Sequence, residues 1–157
     1  MYIIDASAIN HVGRQRHAPL MFDVLLGMIA SHQMCFPDEV LDELERLARG
    51  EHTYTWAKAA AASRFDRGAA YKHLVAVTHQ VRDLVDAEAE YESSAPCVLA
   101  QARSLFLTGH KVKVVTEDVR DKPTRISLAA ACSKLDMPWC AVSQCLKDQG
   151  HGKLCED

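Results

Sequence analysis

Acidic side chains follow two predicted strands that lie far apart in the sequence. Asp5 comes directly after the apolar run 2–4, while Glu117 and Asp118 come directly after the valine-rich segment 111–116. In an open α/β sheet the carboxyl ends of parallel strands share one edge, and ligands usually bind beyond that edge. The sequence therefore predicts that Asp5 and Asp118 lie close together. The alternative for Asp5 is a structural role as the cap of the helical turn that follows it.

A third carboxylate, Glu43, is predicted to reach the same edge from the helix that begins at Asp38, just after the second short strand. Three carboxylates in one place repel each other unless they are protonated or bind cations. Mg²⁺ takes oxygen ligands, commonly one or two carboxylates together with waters and substrate phosphates. This arrangement favours metal-assisted hydrolysis of a phosphodiester, in which the metal activates water and shields the charge on the phosphate.

Strands alternating with amphipathic helices must position these acids. The strands are predicted at 2–4, 34–36, 111–116 and 139–142, which indicates an α/β fold with a mostly parallel central sheet. Segment 11–19 is predicted to be a polar, mobile connector. Segment 54–91 is predicted to form a helical hairpin, broken near Gly68, that caps one side of the sheet. The apolar face of its second helix contains Tyr71, Leu74, Val75, Thr78, Val81, Leu84 and Val85.

The composition is that of a soluble globular protein, with 157 residues, 48% of them hydrophobic and 25% charged. One domain is expected over residues 1–149, followed by a flexible tail at 150–157. No apolar run approaches the roughly 18 residues of a membrane span, and no signal-peptide pattern opens the chain, so a cytoplasmic location is expected. The six cysteines form no Cys-x-x-Cys pair and are expected to be buried free thiols. Glycine-rich nucleotide-binding motifs are lacking.

A net charge of −3 provides no general attraction for nucleic acid, so RNA binding would need a local basic surface. Five cations flank the predicted strand ends that carry the acids, and they are the candidate phosphate contacts. The alternative for each of them is an ordinary solvated loop residue. The candidates are Arg14, Arg16, Arg120, Lys122 and Arg125.

Three segments, taken in order, resemble acidic motifs of the PIN-domain family, especially its VapC-like toxin ribonuclease branch. They are Tyr2–Ser7, Phe36–Leu44 and Val114–Asp118. The resemblance implies a three-layer α/β/α fold, Mg²⁺- or Mn²⁺-dependent cleavage of RNA, a cognate antitoxin and frequent dimerisation. It implies metal-binding and catalytic roles for Asp5, Glu43 and Asp118. Ser7 and Thr116 would supply nearby hydroxyls, and Glu117 is the competing choice for the last acid.

The chain departs from the PIN pattern at one position. The family's remaining acid opens the long helix before the last motif strand, and Ala95 stands at that place here. Loss of one ligand would weaken metal binding and reduce or abolish turnover. The chain is then either naturally degenerate or carries an introduced Asp→Ala change. A non-catalytic RNA- or protein-binding module on the same fold is the alternative function, and Ala95 is its best support.

Overall fold

The computed structural model describes residues 1–156 and contains a four-stranded parallel sheet in the order β2-β1-β3-β4. The strands are short: β1 is Tyr2–Ile4, β2 Met34–Cys35, β3 Lys113–Val115 and β4 Trp139–Cys140. Ile4 of β1 pairs in register with Val115 of β3. This register places the next residues of the two strands, Asp5 and Thr116, side by side at the carboxyl edge of the sheet.

Helices cover the sheet and complete the predicted three-layer α/β/α fold, which the structure confirms. They are α1 Ala6–Gly13, α2 Ala18–Ala30, α3 Asp38–Ala48, α4 His52–Ala61, α5 Tyr71–Gln80, α6 Ala95–Leu107, α7 Leu128–Lys134 and α8 Val142–Asp148. Two short 3₁₀ helices occupy Arg82–Leu84 and Gly152–Cys155. The central strands β1 and β3 are apolar because both faces of the sheet are covered, and Ile3, Ile4, Val114 and Val115 are completely buried.

The prediction of a mobile connector at 11–19 is wrong over most of its length. Helix α1 continues to Gly13, and α2 already begins at Ala18, with Pro19 in its first turn. Alanine and isoleucine at 6, 8 and 9 favour a buried helical face, while Asp5 provides the N-cap. The connector is therefore reduced to residues 14–17, at the end of α1 remote from the sheet edge.

Two predicted apolar faces are confirmed only in part. The spacing on α6 predicts that Val98, Leu99, Ala102, Leu105 and Phe106 point inward, and all of these except Phe106, which is 60% exposed, are buried. Of the face predicted for the second helix of 54–91, Val81 and Leu84 are buried, whereas Tyr71 and Leu74 on α5 line an open cleft and the buried residues of α5 are His73 and Val77. Helix periodicity finds an apolar row but does not say whether protein or solvent covers it.

Both helices of the predicted hairpin are present, as α4 and α5, but they do not pack together as a hairpin: α4 packs mainly against α3, and α5 packs against α6. Regular helix ends at Gln80 rather than near 91. In the segment expected to be a flexible tail, Leu154 packs against the core. The cysteines are free, and Cys35, Cys132, Cys140 and Cys145 are buried. Across residues 1–156, no helix combines the length and apolar character needed to cross a membrane.

Candidate active site

A cleft of about 730 Å³ lies beyond the carboxyl ends of β1 and β3. Its floor contains Asp5 and Ser7, which join β1 to α1. Glu43 on α3 and Ala95 at the start of α6 line a second side. The carboxyl edge of the parallel sheet thus carries a large concave site, as expected for an open α/β fold.

Asp5 is the most deeply placed acid of this cleft, with only 4% of its surface exposed. Its Oδ1 accepts a hydrogen bond from the Ala8 backbone N–H at 2.8 Å, which caps α1. Ser7 Oγ donates to both carboxylate oxygens at 2.8 Å, and Thr116 Oγ1 donates to Oδ2 at 2.6 Å. The predicted capping role and the predicted site position are therefore compatible, because Asp5 occupies both.

Burial raises the pKa of Asp5 to about 7, against an ordinary value of 3.8. Hydrogen bonds from Thr116, Ala8 and Ser7 lower this pKa, and the nearby charge of Asp118 raises it further. Within residues 1–156, no Lys, Arg or His side chain forms an ion pair with Asp5. A cation bound from the cleft would stabilise the ionised form and lower the pKa again.

The Ser7 hydroxyl links the two strand ends. It donates to Asp5, and it accepts a hydrogen bond from the Glu117 backbone N–H at 3.0 Å. Thr116, which is completely buried, similarly accepts from the Asp118 backbone N–H at 3.0 Å while donating to Asp5. These two hydroxyls fix the orientation of the Asp5 carboxylate, so the supporting role predicted for them has a defined geometry.

Glu43 lies on the cleft side of α3 and is held at the N-terminus of α6. Its Oε2 accepts a hydrogen bond from the hydroxyl of Ser94 at 2.7 Å, and Ser94 is the residue that precedes α6. A carboxylate is favoured at this place by the partial positive charge of a helix N-terminus. The contact positions Glu43 next to the start of α6, where Ala95 is the first helical residue.

Ala95 lines the cleft and is 4% exposed. Its backbone N–H donates to Ser93 Oγ at 3.2 Å, whereas the side chain of the N-cap residue Ser94 forms no capping hydrogen bond to the first turn of α6. An acidic side chain at this position would extend toward the cleft beside Glu43, and the helix dipole would stabilise its charge. Ala95 therefore stands at the start of α6, where the resemblance predicts an acid.

The two acids after β3 both contact the first residue of a helix. Glu117 Oε1 accepts from the Val142 N–H at 2.8 Å, at the start of α8. Asp118 Oδ2 accepts from the Leu128 N–H at 3.0 Å, at the start of α7, and from Arg125 Nη1 at 2.8 Å. Both acids line the cleft, and each retains a second carboxylate oxygen that has no hydrogen-bond donor within residues 1–156.

The candidate phosphate contacts separate into two groups. Lys122 and Arg125 line the cleft and are joined by the hydrogen bond from the Lys122 N–H to the Arg125 carbonyl at 2.8 Å. Arg14, Arg16 and Arg120 are exposed and do not line the cleft. The helical continuation of α1 carries the first two away from the sheet edge, since its 8 residues extend about 12 Å.

The donor atoms of the cleft fit a hard divalent cation by their chemistry. Within residues 1–156, no three His, Cys, Asp or Glu side chains come close enough to hold a metal by themselves. Mg²⁺ at phosphate-processing sites needs only one or two carboxylates, because waters and phosphate oxygens complete its shell. Asp5 and Glu43 are candidates for this role, although both oxygens of Asp5 already accept hydrogen bonds. Asp118 pairs with Arg125 through Oδ2 and keeps Oδ1 without a donor in the described chain. The metal itself stays a prediction.

The cleft residues that sequence reasoning missed include Asn10, Arg46 and Tyr91. Asn10 follows Ser7 by three residues on α1, and Arg46 follows Glu43 by three residues on α3. This spacing places each one on the same helical face as the predicted site residue, so it was a usable signal. Tyr91 lies in an irregular segment, and no sequence periodicity marks it.

Comparison with known proteins gives one result. No curated protein and no solved structure matches this chain. A family model matches residues 2–152, which is almost the entire described chain, and its description is Domain of unknown function. The match includes every acid of the cleft and the Ala95 position. The chain therefore belongs to the family named Domain of unknown function (DUF4411).

Proposed function

We propose that this protein is a PIN-like, metal-dependent endoribonuclease, the toxin of a toxin–antitoxin pair that acts on RNA in the cytoplasm. One observation carries the catalytic part of the proposal. The carboxylate of Asp5 is buried at the floor of a cleft, is oriented by two hydroxyls and has no ion-pair partner in the described chain. Such a carboxylate is suited to hold a cation that enters from the cleft.

Mg²⁺ or Mn²⁺ bound by Asp5 and Glu43 would activate water and shield the charge that develops on a phosphodiester. Ser7 and Thr116 hold the Asp5 carboxylate in one orientation, which reduces the reorganisation needed when a cation binds. Lys122 and Arg125 line the cleft, and in this proposal their charges contact RNA phosphates, although the Arg125 guanidinium also pairs with Asp118. The chain's resemblance to VapC-like ribonucleases supports RNA as the substrate and a cognate antitoxin as the protein partner.

Ala95 favours a second candidate, a non-catalytic RNA- or protein-binding module. The alanine is buried where the PIN pattern has an acid, and Ser93 and Ser94 complete the local hydrogen bonding without it. In this case the cleft would bind its ligand but would lack the negative charge required to hold the metal for turnover. The two candidates predict different outcomes for the same substitution.

The deciding experiment restores the acid. We expect Ala95→Asp to raise Mg²⁺- or Mn²⁺-dependent RNA cleavage by about 100-fold or more, measured on a panel of labelled RNAs with EDTA as the blank. Ala95→Asn is the matched control, because it has the same size without the charge, and it should remain at the parent level. Adding Asp5→Asn to the Ala95→Asp chain should remove the gained activity.

The catalytic proposal fails if the Ala95→Asp chain, correctly folded and free of antitoxin, cleaves none of the RNAs with either metal. RNA binding that is equal in the parent and Ala95→Asp chains, without cleavage, would support the binding module. A second readout is independent of turnover. Mg²⁺ should raise the melting temperature of the Ala95→Asp chain more than that of its Asp5→Asn derivative, because a bound ligand stabilises the folded state.

A further inference from the structure

One wall of the cleft is apolar and is not covered by protein. Helix α5 buries His73 and Val77 against the rest of the chain, and a second row on the same helix lines the cleft. That row has the spacing i, i+3, i+4, i+7 of a single helical face and consists of Tyr71, Leu74, Val75 and Thr78. Tyr71 is 77% exposed and Val75 46% exposed. A continuous apolar surface left in water beside a polar site commonly binds a ligand.

A second aromatic ring is held at the rim of the same cleft. Tyr91 is 60% exposed, and the guanidinium carbon of Arg46 lies 4.8 Å from the centre of its ring. Arg46 Nη2 also donates to the Glu92 carbonyl at 2.8 Å, which fixes the guanidinium against the ring. The Arg46 guanidinium therefore holds one face of the Tyr91 ring, so the position of the ring does not depend on a ligand.

The cleft thus combines two kinds of surface that a nucleotide requires. Its apolar wall includes Tyr71 and Tyr91, and its polar side includes Lys122 and Arg125 together with the acids. A nucleotide base has a flat apolar face, and its phosphate is anionic. An aromatic ring and a nearby cation recognise these two parts at the same time, without reading the base sequence.

We infer that Tyr71 and Tyr91 are base-stacking positions, which select single-stranded RNA over a duplex in this cleft. Arg46 is a positioning residue that holds the Tyr91 ring. The faces of bases are accessible in an unpaired strand, whereas in a duplex they are covered by the neighbouring base pairs. The inference rests on the proposed function for the identity of the ligand, and it adds which residues bind the bases and which strand state they accept.

The test measures binding by the parent chain, because its Ala95 limits cleavage of the probe. Fluorescence anisotropy would compare a labelled oligouridylate of about eight nucleotides, its duplex with oligoadenylate, and an abasic oligomer of equal length, all with Mg²⁺. We expect the single strand to bind at least about 10-fold more tightly than the other two. Tyr71→Ala and Tyr91→Ala should each weaken single-strand binding by about 5- to 150-fold.

Three control variants separate stacking from other effects. Tyr71→Phe and Tyr91→Phe keep the ring and should stay within about twofold of the parent. Phe106→Ala removes a ring of the same 60% exposure outside the cleft and should leave binding unchanged. Because both tyrosines are largely exposed, their truncation should preserve the fold, and circular dichroism checks this.

Equal binding of single strand, duplex and abasic oligomer would overturn the inference, as would parent-like binding by both Tyr→Ala variants. If no nucleic acid binds, the inference is wrong and the apolar wall becomes a candidate protein-docking surface. The proposed function fails separately. Cleavage by the Ala95→Asp chain with normal binding by the tyrosine variants removes only the stacking inference, whereas tyrosine-dependent binding without cleavage removes only the catalytic proposal.

Discussion

At the end of β1 the carboxylate of Asp5 is bound by neutral donors, whereas at the end of β3 that of Asp118 is bound by a cation. Asp118 accepts from Arg125 at 2.8 Å, and both side chains are about one-seventh exposed or less, at 14% and 13%. Asp5 accepts from two hydroxyls and one backbone N–H. Two acids that follow parallel strands at the same edge of the sheet thus have different electrostatic surroundings.

The difference lies in how each charge is compensated. The charge of Asp118 is neutralised inside the chain, and its contact with the Leu128 N–H connects the end of β3 to α7. The charge of Asp5 is met only by neutral donors, and burial disfavours its ionised form. We therefore expect substitutions at β3 to change mainly stability, and substitutions at β1 to change mainly pH dependence and metal response.

The largest effect on stability is expected from Asp118→Ala. This change breaks the pair with Arg125, leaves the guanidinium without its carboxylate and removes the acceptor for the Leu128 N–H. The free energy of unfolding should fall by about 2–4 kcal/mol, measured by urea denaturation. The Asp118→Ala, Arg125→Met double variant is the control. It should be less destabilised than the sum of the two single variants, because no unpaired charge remains.

A smaller, pH-dependent effect is expected at Asp5. Its folded pKa of about 7 lies above the ordinary value of 3.8. Between about pH 4 and pH 7 the folded state therefore binds more protons than the unfolded state. The stabilisation that protonated Asp5 gives the folded state is complete below about pH 4 and is lost as the pH rises through 7. Relative to Asp5→Asn, the parent chain in EDTA should lose roughly 1–3 kcal/mol between pH 4 and pH 8. If the free energy of unfolding changed with pH by the same amount in the parent and in Asp5→Asn, this expectation would be wrong.

The smallest effect on the free energy of unfolding is expected from substitutions of Glu117. Its carboxylate accepts a single hydrogen bond, from the first N–H of α8, at 2.8 Å. Glu117→Ala should cost about 1 kcal/mol through loss of this contact. Glu117→Gln keeps a carbonyl oxygen as acceptor and should cost less than half of that value. If Glu117→Gln instead removed the RNA cleavage of the Ala95→Asp chain, Glu117 would replace Asp118 as the last acid of the site.

The tyrosine variants extend the comparison to a third region. They should leave the unfolding free energy almost unchanged, because Tyr71 and Tyr91 are exposed, while they weaken RNA binding. Asp118→Ala should instead lower the unfolding free energy strongly and change RNA binding less. If the tyrosine variants and Asp118→Ala instead changed RNA binding and unfolding free energy in the same proportion, the cleft wall and the strand ends would form a single structural unit.

The sequence alone determined the α/β class, the positions of the four strands and the acids that end β1 and β3, because strand propensity and helix periodicity are local properties. It also located Ala95 at the first residue of α6. The structure confirms the three-layer fold, whereas nuclease activity, the metal and the antitoxin stay predictions.

Only the tertiary structure decided how each acid is used. The sequence showed carboxylates after two strands, but the partners of Asp118 come from residues 7 and 10 positions further along the chain, and Glu117 contacts a residue 25 positions away. The same limit applies to α5, where periodicity identified the apolar row that contains Tyr71. Whether that row is covered depends on the elements packed around it, and here it lines the cleft beside Asp5.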